Sequence, residues 1–173
     1  MKVKIKTIGM VLIAIGLIST SVNVQAQAKK KADKATEQWR YEIEGAGVGV
    51  QGTYLVKVWS CSKNKNVAIE QCKKNAVHGI IFKGFVGNDK VRSGQKPLAK
   101  DPALEAEKAD FFKDFFANGG KYMKFVSSST NAASEIINIG KEYKVGVIVS
   151  VNVSELRKDL EAAGIIRGLS NGF

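Results

Sequence analysis

The stretch from Lys141 to Leu160, KEYKVGVIVSVNVSELRKDL, decides the fold. Tyr143, Val145, Val147, Val149 and Val151 alternate with Glu142, Lys144, Gly146, Ile148 and Ser150. An apolar residue at every second position is the period of a strand with one face against a core. At Asn152 the pattern changes. Asn152 with Glu155 three positions on forms a capping box that opens a last helix, running to Ala163 and ended by Gly164. A long strand delivered directly into a helix calls for a sheet with helices packed against it.

Working outward, Trp39, Tyr41 and Ile43 alternate with Arg40, Glu42 and Glu44, and a second strand follows at Tyr54–Trp59. The glycine-rich GAGVGVQGT between them predicts an antiparallel hairpin. Asn66 then caps a helix from Val67, with Ile69, Cys72, Ala76 and Ile80 on its buried face. Ile80–Phe82 fits a final turn or a short strand, and residues 83–100 read as a long exposed loop. Asp101-Pro102 starts another helix, whose Leu104, Phe111, Phe112, Phe115 and Phe116 make a broad apolar surface, stopped by Asn118-Gly119-Gly120. Tyr122–Val126 and Glu135–Ile139 are read as strands. Hairpins dominate this order. The expected class is α+β: a mainly antiparallel sheet of four to five strands with about three helices packed on one face.

The amino terminus carries an address. Lys2, Lys4 and Lys6 precede an apolar run from Ile8 to Ile18, and Ala26 and Ala28 supply the small residues of a cleavage site. The run is about half the ~20 residues needed to cross a bilayer. Residues 1–28 are therefore expected to be a secretory signal peptide, 29–38 a flexible basic leader, and 39–173 a single α+β domain. No cysteine lies near the cleavage site. The expected location is exported, periplasmic or secreted, and not lipid-anchored; the protein is not expected to be transmembrane.

Loss of the three lysines of residues 1–28 brings the formal net charge from +11 to +8. The surplus lies in residues 57–100, where ten basic groups face only Glu70 and Asp89. Such a segment is either a solvated face or a surface for an anionic partner. If it binds, the candidate ligand-binding residues are Lys73, Lys74, Lys83, Lys90, Arg92 and Lys96. Export removes the chain from most nucleic acid, so none is expected as a partner.

No motif points to catalysis. Gly47–Gly52 matches G-x-G-x-x-G but leads into a strand, whereas a dinucleotide site needs a helix there. His78, the only histidine, has no nucleophile motif to serve, and near a helix end it is expected to meet the last carbonyls. Cys61 and Cys72 leave a disulfide and two free thiols both open, and no third or fourth residue has metal-site spacing. No catalytic residue, metal or cofactor is assigned.

The hairpin, the helix with Ala68, Cys72 and Ala76 at four-residue spacing, and the KEYKVGVIVSVNVSELRKDL strand–helix unit together resemble a family. It is the small α+β domain of bacterial envelope lipoproteins, also found at the N-terminus of the periplasmic flagellar T protein. The resemblance covers roughly residues 39–163 and implies an exported envelope module serving assembly or binding, with no catalytic residues to carry over. The expected function is thus a non-enzymatic exported bacterial envelope protein acting as an interaction or structural module, its partner an envelope protein. The alternative is a binding protein for an anionic envelope component through residues 57–100.

Overall fold

The structure, a computed structural model, describes residues 39–89, 91, 94–128 and 135–168. The signal peptide and leader expected in residues 1–38 lie outside the described residues, as do Lys90 and Arg92. The chain is α+β, as its alternation predicts. Strands β1 (Tyr41–Val48) and β2 (Thr53–Ser62) form the predicted hairpin, turning through Gly52 at φ 83°. Helix α1 (Lys65–Phe82) follows, then the short α2 (Leu104–Glu107) and α3 (Ala109–Phe115). A 3-10 turn (Lys121–Phe125), β3 (Val126–Ser128), β4 (Glu135–Ile139), β5 (Glu142–Asn152) and α4 (Val153–Ala162) complete it.

Every strand pairing is antiparallel, in the order β1-β2-β5-β3, with β4 also paired to β5. β3 and β4 are two pieces of one edge. β3 lies along the end of β5 (Val149–Val151) and β4 along its beginning (Glu142–Gly146). β5 is the central strand, and its four valines at 145, 147, 149 and 151 face the core. Asn152 caps α4 by accepting the Glu155 N–H at 3.1 Å. Leu156 and Leu160 of α4 are fully buried, each worth roughly 1.5–3 kcal/mol relative to exposure.

α1 packs on this core face. Ala68, Cys72 and Ala76, all fully buried, keep its sheet-facing side small, so that the helix lies close over Val56, Val58 and Val145. The opposite face of the sheet carries Lys57, Trp59 and Cys61 of β2 beside Lys144 of β5. Lys57 and Lys144 stand over the Trp59 ring at 4.5 and 5.3 Å, each paired across the sheet, to Glu135 and Glu42.

Several sequence expectations are corrected. α1 begins at Lys65 because Asn64, not Asn66, is the cap: its side chain accepts the Asn66 N–H. Residues 101–118 do not form one helix; α2 and α3 are separated at Lys108, and Asp101 caps the turn before them by accepting the Ala103 N–H. Tyr122–Phe125 is not strand. Its two buried rings, Tyr122 and Phe125, are three apart, the repeat of a 3-10 turn. The 83–100 loop is tied down rather than free: Phe85 and Gln95 form a β-bridge, and Leu98 and Ala99 N–H groups reach the Ile80 and Ile81 carbonyls.

Both cysteines are free. Cys72 lies between α1 and the sheet, its thiol donating to the Val58 carbonyl at 3.3 Å, while Cys61 lies on the helix-free face. The sheet itself separates them. Burial pushes the Cys72 thiol up to about 11. Without reductant, native protein should take up a thiol reagent at Cys61 alone, and at Cys72 only on unfolding. A Cys61–Cys72 bridge in the native mass spectrum would contradict this.

Candidate functional site

The second half of α1 lacks a polar side: Lys74 to Ile81 are all buried. The single-faced helix predicted from Ile69, Cys72, Ala76 and Ile80 is corrected here, because other segments cover its outer side. His78, 2% exposed, lies at their meeting point. Trp39 stacks on its imidazole with 3.5 Å between ring centroids, and Phe82 and Phe116 pack at 4.9 and 5.7 Å. The expectation that His78 meets the last carbonyls of the helix is corrected. Both its ring nitrogens engage side chains: Nδ1 meets Tyr41 Oη at 2.7 Å and Nε2 meets Glu105 Oε1 at 3.0 Å.

The protonation state follows from the surroundings. Burial, reinforced by the Lys83 ammonium, pushes the imidazole pKa down to about 3, so the ring is neutral at neutral pH. A carboxylate can only accept, so Nε2–H donates to Glu105 and Tyr41 O–H donates to Nδ1. The chain of bonds links β1, α1 and α2 in one tautomer. Burial raises the Glu105 pKa, opposed by a hydrogen bond from the Trp39 indole and by the Lys83 charge. Burial likewise raises Tyr41 and lowers Lys83, whose ammonium sits 3.8 Å over the Tyr41 ring.

Trp39 is the anomaly. Its φ of 46° is in the left-handed region, where it is the one non-glycine among the described residues. A bulky side chain there costs roughly 1–2 kcal/mol, held by its stacking and its bond to Glu105.

Beside this hub opens a cleft of about 640 Å³. Trp39, Phe112 and Phe116 give it aromatic surface; Lys74, Lys113, Glu105 and Asp110 give it charge. Lys74 is itself only 7% exposed and lies 5.8 Å from the Tyr122 ring. A second cleft, about 480 Å³, lies under the 84–97 loop and is lined by Ile43, Lys83, Phe85, Gln95 and Lys96. Tyr54 Oη fastens that loop by donating to Gln95 Oε1 at 2.8 Å.

The six candidate residues are therefore divided. Lys74 enters the first cleft, Lys83 and Lys96 the second, and Lys73 pairs with Glu70 on the flank of α1 at 2.8 Å. Trp39, Glu105 and Phe116 were not singled out from sequence as site residues. The available signal was His78 itself, a lone imidazole on a helix with no polar side. Among the described residues, no group of three His, Cys, Asp or Glu could hold a metal ion, and no helix is long and apolar enough to cross a membrane. In comparisons with protein-family models, curated proteins and solved structures, nothing matches this chain.

Proposed function

We propose that the chain is a non-enzymatic, exported protein of the bacterial envelope that binds a small aromatic or apolar carboxylate in the cleft beside Trp39. The observation that carries this is the convergence of three aromatic side chains with the largely buried Lys74 in one cleft. Ligand sites are mostly apolar with a few placed polar groups that fix orientation. Glu105 is engaged by His78 and Trp39, so in the rest of the lining the two ammonium groups of Lys74 and Lys113 outnumber the one carboxylate of Asp110, a balance that favours an anion. Both imidazole nitrogens are committed to internal bonds, which supports a holding role for His78 over a chemical one. The envelope location comes from the signal peptide read in residues 1–28, and the role as a module from the resemblance over residues 39–163.

Trp39 and Trp59 are the only tryptophans, so Trp59→Phe leaves Trp39 as the reporter of the cleft. Phenylacetate and phenylalanine should change its fluorescence saturably, and phenethylamine should not. Lys74→Met should weaken phenylacetate at least tenfold, about 1.4 kcal/mol, the scale of one charge-assisted hydrogen bond. Silence with all three probes, or phenethylamine binding as tightly as phenylacetate, would overturn the assignment.

A further inference from the structure

The two edges of the sheet are built differently. The β1 edge is blunted: its pairing slips between Gly45 and Gly47, and Asn88 Nδ2 of the 84–97 loop donates to the Gly45 carbonyl at 2.9 Å. Bulges and covering loops are the usual protection of an edge against pairing with another chain. β4 has neither. It pairs only with β5 among the described residues, has no bulge, proline or lysine within Glu135–Ile139, and every residue in it is exposed. Ile136, Ile137 and Ile139 are 44%, 49% and 52% exposed, half of the large apolar side chains in that state among the described residues.

We propose that the β4 edge is a homodimer interface, in which β4 of a second copy adds antiparallel across a two-fold axis at Asn138. The choice of a second copy comes from self-complementarity. About Asn138, Ile137 lies opposite Ile139 of the second copy, twice, and Ile136 meets Gly140, where the chain turns from β4 into β5. Glu135, Ile137 and Ile139 share the helix-free face, since they pair with Gly146, Lys144 and Glu142. The dimer therefore places four isoleucines together on that face, covering side chains that are half exposed in one copy. Centring one residue earlier, on Ile137, would set Glu135 against Ile139 and Ile136 against Asn138, apolar against polar throughout. The register is thus specified by sequence.

In an antiparallel pair, residues directly opposite have Cα atoms ~4.5–5.5 Å apart, within disulfide range. In a Cys61→Ser background, Asn138→Cys should therefore cross-link to itself on mild oxidation, and Glu135→Cys should not. The full chain without either cysteine substitution should sediment as a dimer. Ile137→Lys should raise the dimer dissociation constant at least tenfold while its circular dichroism and unfolding midpoint, compared as monomer, stay native. A monomer at every concentration, equal cross-linking of both cysteine variants, or a dimer indifferent to Ile137→Lys would overturn the interface; a strand of another protein or another part of this chain would then cover β4.

Discussion

Below about pH 6 the folded protein should lose about 1.4 kcal/mol of stability for each further pH unit, ~2.7 kcal/mol by pH 4.5, on account of His78 alone. The unfolded imidazole titrates near its ordinary 6.5, whereas the folded one is held down to about 3. Between those values the unfolded chain binds the extra proton, so acid favours it. The sign is that of a base buried neutral: stability is complete above about 6.5 and falls as pH drops toward about 3. The groups facing the ring are Tyr41 from β1, Lys83 at the end of α1 and Glu105 from α2. Glu105, with a raised pKa, acts in the opposite sense just above the ordinary carboxylate range and softens the lower end. Tyr41, raised by burial, adds a loss only above about pH 10, and Lys83 is lowered by burial from its ordinary basic range.

The measurement is unusually direct, because this is the chain's only histidine. In a tag-free preparation the imidazole resonances need no assignment, and they should stay at the neutral position down to pH 5. A midpoint near 6.5 would refute the buried neutral state. Denaturant titrations at pH 7 and pH 5 should show the stability gap in the native chain, and the gap should shrink in His78→Gln whatever that variant's absolute stability. Acid should also release Trp39 from its stack, since a cationic ring would need water, so the cleft and the fold weaken together.

How much of this was legible beforehand depended on whether the determining residues were close in sequence. β5 and α4 were read within a residue, because alternation at 143–151 and a cap at Asn152 are local statements. The hairpin of β1 and β2 was read for the same reason. The 121–125 segment was misread because tyrosine and phenylalanine favour strands, and only the burial of Tyr122 and Phe125 together selects the tighter turn. Within the site, charge counting reached Lys74 but not Trp39 or Glu105. Those two meet His78 from residues 39 and 105, and no spacing in the chain records that α2 returns over α1. A buried neutral imidazole is a property of the packed whole, so it was read as a helix-end residue.

Gly84→Ala should be among the most damaging single substitutions outside the core, costing on the order of 3 kcal/mol or more. Two effects add. Gly84 has φ 66°, where a side chain costs roughly 1–2 kcal/mol. A Cβ there would also collide with the Gln95 carbonyl oxygen and lie 2.9 Å from the Pro97 nitrogen, both backbone atoms that cannot swing aside. Gly84 closes the end of α1, its N–H bonded to the Gly79 carbonyl at 2.8 Å, and starts the loop that carries Lys96 and the Phe85–Gln95 bridge. The collision would push that loop off Phe85 and Leu98, exposing core. Gly119 provides the control. Its φ of 71° is similar, yet a Cβ there meets nothing within 4 Å. Gly119→Ala should therefore show the conformational cost alone, about 1–2 kcal/mol. Equal losses in the two variants, measured by denaturant midpoint at constant slope, would mean the loop yields at no cost and is not the rigid wall of the second cleft.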